Sequence, residues 1–316
     1  MKAIAIVGPT ASGKTALALA LARVLDGEIL CCDSMQIYRG MDIGTAKPTE
    51  EERAVCPHHL MDVADPTQPF SAADYAALAM PCLAEITSRG KVPIFCGGTG
   101  LYLEAVRTLR HEGSAPPPDP ALRESLNRRA ETEEGRIALY RHLAEIDPEA
   151  AEATHYNNTR RVIRALEIFH TTGKTKTETD KAATEKNPDL DLLVIGIRFT
   201  DRALLADRIS RRVDRMMEEG LLDETRRLLD AGALSGTTAA QAIGYKELLA
   251  HLAGELPLTE ALDHLKTATR RYAKRQMTWF GRDGSVRWLT ADRDGTVRDT
   301  ADLLQEALSH VTPFLM

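Results

Sequence analysis

A short apolar run over residues 3–7 (AIAIV) breaks at Gly8 and Pro9. Such a run, bounded by turn residues, reads as a buried strand. Helical periodicity follows over 14–25, and a second apolar run, 28–32, ends at Asp33. From 35 to 57 no period dominates, so an ordered loop with short helical pieces is expected. A third strand is expected over 59–63. Ser71 caps a helix running to about 88, with Asp74 at its third position, where the helix dipole favours an acid. A further strand, 91–96, leads into Gly97-Gly98-Thr99-Gly100 and a helix from Leu101. Strands alternating with helices predict a parallel α/β sheet.

The pattern changes at Ala115-Pro116-Pro117-Pro118-Asp119-Pro120, a stiff, non-helical stretch. Helical spacing returns over 122–145 and 160–170, and the polar tract 174–187 is expected to be mobile. The run 190–199 (LDLLVIGIRF) reads as a buried strand that returns to the sheet. Residues 201–282 are mostly helical, and 287–289 add a short strand. The expected organisation is an α/β core of 1–114 and 190–316, with a helical C-terminal part, interrupted by a mainly helical insertion, 115–189.

Composition narrows the function classes. The chain has 316 residues, 43% hydrophobic and 27% charged, ordinary for a soluble globular protein. No stretch approaches the ~18 apolar residues of a membrane span, and the N-terminus reads as a strand rather than a signal peptide. No membrane partner is expected. Forty basic against 46 acidic residues leave a net charge of −6, so any nucleic-acid binding must come from local patches. The five cysteines (31, 32, 56, 82 and 96) are odd in number and lack C-x-x-C spacing. That suits a reducing cytoplasm, with neither a disulfide framework nor a zinc site.

Candidate chemistry begins at Gly8-Pro9-Thr10-Ala11-Ser12-Gly13-Lys14-Thr15, which fits G-x-x-x-x-G-K-[ST] between a strand and a helix. The glycines let backbone N–H groups curl around one anion at a helix N-terminus. Lys14 adds a mobile charge, and the Thr15 hydroxyl can ligate Mg²⁺. The core is therefore a P-loop NTPase-like sheet. A guanine-reading N-K-x-D is missing, and the strand over 92–96 ends in Gly97-Gly98 instead of an acid. Small-molecule kinases and less usual phosphate-loop enzymes remain. Asp33-Ser34-Met35-Gln36 follows the second strand, where substrates of parallel sheets bind. Asp33 is read either as a base, with Gln36 hydrogen-bonding the acceptor, or as a helix-capping residue.

The longer string from Asp33 to Pro48 (DSMQIYRGMDIGTAKP) decides between these. With GPTASGKT before it and Gly97-Gly-Thr-Gly-Leu-Tyr102 after it, it closely resembles the tRNA dimethylallyltransferases, also called tRNA isopentenyltransferases. The resemblance continues through Ser71–Tyr75, Arg161–Glu167, Thr172-Gly173-Lys174, Ala242-Ile-Gly-Tyr245 and Lys274-Arg275-Gln276-Met-Thr278-Trp279-Phe280. It implies a phosphate-loop core with an inserted helical domain. It also implies transfer of a dimethylallyl group from dimethylallyl diphosphate to the exocyclic amine of adenosine 37, beside the tRNA anticodon. On that reading the phosphate loop and Mg²⁺ receive the leaving diphosphate, Asp33 takes the amine proton, and Thr99 bonds the amine or the diphosphate. Arg208 and Arg212 share one face of the helix after Asp201 with Arg215; they clamp the diphosphate, or else lie on a solvated charged face.

Two basic tracts supply the RNA surface on this reading. One, from Leu265 to Arg282, holds Arg271, Lys274 and Arg275 with Tyr272, Trp279 and Phe280 interleaved; the other holds Arg160, Arg161 and Arg164. Basic groups hold phosphates and aromatic faces stack on loop bases. Gln36, Gln241 and Gln276 offer amides for base edges, with Ser34, Met35, Gly244, Tyr245 and Lys246 beside them. The target base is expected to be extruded into a tunnel that ends at the isoprenoid diphosphate. His58, His59 and His155 read as structural, and a monomer is expected. A shikimate-kinase-type enzyme and a noncatalytic RNA-binding module are the alternatives.

Overall fold

The computed structural model describes residues 1–108, 119–182, 186–235 and 238–316. The order of elements is β1 (Lys2–Val7), α1 (Lys14–Leu25), β2 (Gly27–Cys31), α2 (Glu50–Arg53), β3 (His58–His59), α3 (Ala72–Ser88), β4 (Val92–Cys96) and α4 (Gly100–Arg107). Then come α5 (Pro120–Arg129), α6 (Glu133–Ile146), α7 (Pro148–Glu152), α8 (Thr159–Thr172), α9 (Lys176–Ala182) and β5 (Asp191–Arg198). The chain closes with α10 (Arg202–Glu218), α11 (Leu221–Asp230), α12 (Tyr245–Leu252), α13 (Leu258–Phe280), β6 (Arg287–Thr290), a hairpin of β7 (Asp292–Arg293) and β8 (Thr296–Val297), and α14 (Thr300–Leu315).

Among the described residues, six strands form one parallel sheet in the order β3-β2-β4-β1-β5-β6. β1 lies at its centre, paired to β4 on one side and β5 on the other. Five of its six residues are buried, as a strand covered on both faces requires. Ile4, Ile6, Ile29, Ile94, Ile195 and Ile197 pack with Leu17 and Leu21 of α1 and with Leu303, Ala307 and Val311 of α14.

The chain divides into two compact units. Met1–Glu104 with Pro188–Met316 forms the first, which holds the sheet; Ala105–Asn187 forms the second. The second unit closes its own core with Leu126, Leu139, Leu143, Val162 and Leu166.

Three expectations change and one further helix is found. The strand over 59–63 shrinks to His58–His59, because Leu60 and Asp62 adopt left-handed φ of 63° and 57° that no strand accepts. The helix over 122–145 is two helices, broken where the Thr132 hydroxyl accepts from Gly135 N–H at 3.1 Å and starts α6. The polar tract contains α9, tied down by Thr177, which donates from N–H and hydroxyl to Asp147 at 2.9 and 2.6 Å. Residues 183–185 of that tract, and 115–118 of the proline run, lie outside the described residues. Helix α14 carries a 3.6-residue apolar stripe that the sequence reading passed over.

The loop between β2 and β3 is ordered by two buried charges. Lys47 donates to Tyr38 O and to the Asp42 and Asp62 carboxylates. Glu224 of α11, 1% exposed, accepts from the backbone N–H of Asp42, Ile43 and Gly44 at 2.9–3.1 Å and from the Tyr245 hydroxyl at 2.7 Å. Removing this carboxylate leaves three N–H groups and a hydroxyl unpaired. Glu224→Ala is expected to cost about 3–5 kcal/mol of stability in urea denaturation; a loss below 1 kcal/mol would mean that the loop holds itself.

Candidate active site

Three loops meet beyond the carboxyl ends of β1, β2 and β4. They can approach because glycines leave room. A Cβ on Gly97 would lie 2.0 Å from Cys32 O, and one on Gly8 2.5 Å from Ile197 O. Cys32 N–H donates to Cys96 O at 2.8 Å, and Thr99 N–H returns to Cys32 O at 3.1 Å. The Thr99 hydroxyl accepts from Ser34 N–H at 2.9 Å, so the acidic loop after β2 and the Gly-Gly-Thr loop after β4 are laced together. Asp33 accepts from Met35 N–H at 3.0 Å, an Asx turn that aligns the carboxylate.

The phosphate loop curls through left-handed backbone at Ala11 (φ 62°) and Gly13 (φ 94°). Lys14 donates to Pro9 O at 2.7 Å, folded back over the loop. The buried Ser12 hydroxyl has no partner, an orphan donor in a loop whose shape suits an anion. From α10, Arg208 Nε donates to Ala11 O at 2.8 Å, with its guanidinium 5.9 Å from the Phe199 ring centre.

The charges of this region act on one another. Burial pushes Lys14 down to about 8; Cys96 and Asp33 oppose the shift, and Arg212 adds to it. Burial lowers Arg212 too, against the favourable field of Asp33. Burial raises Tyr272 of α13, beside Asp33, with its hydroxyl in reach of Thr99 and Gln276. Burial also pushes the Cys32 and Cys96 thiols up, to about 12 and about 11, so neither is a thiolate at neutral pH. Among the described residues no group of three or more His, Cys, Asp or Glu could hold a metal ion.

The phosphate loop, the acid after β2 and the Gly-Gly-Thr loop have counterparts in known proteins. Residues 36–283 match the family model described as "IPP transferase", and residues 1–59 match "Isopentenyl transferase". The chain belongs to the IPP transferase family. A Bacillus velezensis relative named a tRNA dimethylallyltransferase is 50% identical over 286 residues, which cover 90% of this chain and 89% of the relative. The one from Caldanaerobacter subterraneus is 43% identical, with 97% of each chain covered. Among solved structures, the tRNA isopentenylpyrophosphate transferase of Bacillus halodurans superposes with a TM-score of 0.72 at 44% identity, covering 99% of this chain and 96% of its own. A eukaryotic dimethylallyltransferase described as acting on tRNA gives 0.80 at 30% identity, covering 99% of this chain and 79% of its own.

Within this IPP transferase the site residues read from sequence divide into groups. Asp33, Ser34, Thr99, Lys14, Arg208 and Arg212 gather at the strand ends. Arg215 is exposed, and Arg211 pairs with Asp207 on the solvent side. Arg271, Lys274 and Arg275 are exposed along α13, and Trp279, 42% exposed, lies against the start of α4. In the second unit Arg160 and Arg161 are exposed at the start of α8. Gln241 and Lys246 are exposed, the latter 3.6 Å from Glu247.

Five of the residues expected at RNA are engaged within the protein in this structure. The Gln276 amide, 4% exposed, accepts from Thr10 N–H and donates to Gly98 O. The Gln36 amide donates to Thr45 O and Ala46 O, at 3.0 and 3.1 Å. Tyr245 is fully buried and donates to Glu224, and the preceding Gly244 is buried with φ 113°. Arg164 is paired with the buried Glu167, which Arg123 also reaches. Glu224 has no counterpart in the sequence expectations, and Tyr272, expected there as a stacking aromatic of the basic tract, is in reach of Thr99 and Gln276 instead.

Lys14 carries a pH dependence. Its ammonium is present below about 8 and lost above it, so affinity for inorganic diphosphate is expected to fall as pH rises through that value. Titration calorimetry on the parental protein and on Lys14→Met checks this; an equal pH dependence in both would remove Lys14 from the effect.

Proposed function

We propose that this protein transfers a dimethylallyl group from dimethylallyl diphosphate to the N6 amine of adenosine 37 in tRNA, giving N6-dimethylallyladenosine and diphosphate. The observation that carries the reading is the meeting of an anion-shaped loop with a carboxylate and a threonine on adjacent strand ends, in a chain of the IPP transferase family. The bond that breaks is the allylic carbon–oxygen bond, and charge builds on the leaving diphosphate. Loop N–H groups, the orphan Ser12 hydroxyl, Lys14 and Arg212 stand where that charge develops. The attacking amine is conjugated to the purine and loses a proton as the new bond forms. Asp33 is the base, with Thr99 aligning the amine; base catalysis of this kind contributes ~10²–10⁴-fold.

The donor set suits Mg²⁺ carried in with the diphosphate. That ion takes one or two protein oxygens, several waters and phosphate oxygens, and Thr15 offers such an oxygen. Bound there, it would supply charge neutralisation to the leaving group. The anticodon arm is held by Arg271, Lys274 and Arg275 on α13; within the second unit, Arg160 and Arg161 form a separate basic patch for RNA phosphates. Extrusion of the adenine from its stack is what lets the amine reach Asp33.

Radiolabelled dimethylallyl diphosphate and labelled ATP, each offered with unmodified tRNA, test the reading. Label from the first in tRNA supports it; label from ATP in a small molecule, or none at all, overturns it. Asp33→Asn is expected to lower the single-turnover rate ~10²–10⁴-fold with tRNA and diphosphate affinity kept; near-parental transfer would exclude Asp33 as the base. Replacing Arg271, Lys274 and Arg275 by Ala is expected to weaken tRNA binding. It is also expected to flatten the log–log salt slope by ~0.7–0.9 for each phosphate no longer neutralised, with diphosphate affinity unchanged. Parental affinity and slope would move RNA recognition to Arg160 and Arg161.

A further inference from the structure

The parallel ladder between β1 and β4 ends with Ile6 opposite Cys96, and Gly97 N–H then donates to Ile6 O at 3.2 Å. Beyond that bond the two chains part. One becomes the phosphate loop and the other the Gly-Gly-Thr loop. The gap between them is filled by a side chain from elsewhere. Gln276 Oε1 accepts from Thr10 N–H at 2.8 Å, and its Nε2 donates to Gly98 O at 3.1 Å. A side-chain amide carries the same donor and acceptor pair as a peptide. Gln276 thus continues the sheet's hydrogen bonding by one rung past the strand ends, between segments 266 and 178 residues away from it in sequence.

The fit leaves no slack. Gln276 is 4% exposed. A Cβ added at Gly98 would stand 1.8 Å from its Nε2. One turn earlier on the same helix face, Tyr272 reaches Thr99 and the field of Asp33. Away from Gln276, α13 carries the exposed Arg271 and Lys274, and the exposed Arg275 lies with its guanidinium 5.5 Å from the Tyr272 ring centre. One helix therefore touches both strand-end loops from inside and presents its cations to solvent.

We propose that Gln276 is a positioning residue that locks the phosphate loop to the Gly98–Thr99 loop, fixing the separation between the leaving diphosphate and the attacking amine. This deepens the proposed function and rests on it. Group transfer depends steeply on such a separation, since displacements near 1 Å cost large factors in rate. Without the amide, Thr10 N–H and Gly98 O lose their shared partner and the two loops move independently.

Two variants break the same rung from opposite sides: Gln276→Met, which keeps length and packing, and Gly98→Ala, which displaces the amide. Each is expected to lower kcat by about tenfold or more. Each should raise KM for dimethylallyl diphosphate several-fold, weaken inorganic diphosphate in calorimetry by a like factor, and leave the Kd for tRNA within about twofold. The double variant should lose little more than either single one, because both remove one interaction.

A fall in tRNA affinity with parental diphosphate affinity would overturn the proposal and return Gln276 to base recognition. A lower melting temperature with parental kcat and KM would also overturn it, leaving a packing role only. If Gln276→Met does not fold, Gly98→Ala decides alone. If the parental protein transfers no dimethylallyl group, it is the proposed function that fails; the calorimetric arm still judges whether Gln276 governs the phosphate loop.

Discussion

An anion can be enclosed by backbone N–H groups only where the chain abandons its own hydrogen bonding, and a loop that has done so cannot hold its shape alone. The phosphate loop here passes through left-handed backbone at Ala11 and Gly13 and leaves the Ser12 hydroxyl unpaired. Its shape is imposed from outside. Arg208 takes Ala11 O from α10, Gln276 takes Thr10 N–H from α13, and β5 backs Gly8 so closely that no Cβ would fit. The helices of the C-terminal third are therefore part of the site's frame. A chain cut after β5 would keep the loop's sequence without the partners that shape it.

Charge is arranged by the same packing. The protein carries −6 overall, yet Lys14 and Arg212 both face one carboxylate, Asp33, while Arg208 is held on Ala11 O beside Asp207. Burial lowers all three cations, because each has given up water without gaining a full counter-charge. That imbalance is what a polyanionic ligand relieves, so binding energy is stored as unmet electrostatic demand and not as interactions already formed. The thiols at the same strand ends are pushed the other way, protonated and inert.

What could be read from the chain was whatever is local. The strand, loop and helix at residues 2–25, the buried runs that became β2, β4 and β5, and the cap at Ser71 all depend on neighbours within a few residues. The family motifs also lie in short strings. What escaped depends on partners far away in sequence. Gln276 and Gln36 look like free amides until the backbone they satisfy is known. Tyr245 looks like a surface aromatic until Glu224 arrives from α11 to bury it. Arg164 reads as a cation for phosphate, and it shares a buried glutamate three residues along the same helix with Arg123. The tract around α9 reads as disordered by composition, because its order comes from Asp147 and Glu149 of another helix. In each case a polar residue was judged by its type, whereas its role is set by which unsatisfied group it meets.

Helix α13 brings these strands of argument together. Its inward face carries Tyr272 and Gln276, four residues apart, and its outward face carries Arg271 and Lys274. Residues 271 and 274 fall away from the Gln276 side of the 23-residue helix, and Arg275, one turn on from Tyr272, keeps its guanidinium 5.5 Å from that ring centre at the border of the two sides. That division also explains how an acidic protein can offer a polyanion a foothold. Acidic residues are spread over the other surfaces, while the 265–282 stretch carries no acid between Leu265 and Arg282. With a screening length of about 8 Å, a phosphate placed beside this stretch would feel those nearby cations and little of the distant excess of acids. Local placement, fixed by the same helix that shapes the phosphate loop, outweighs net charge.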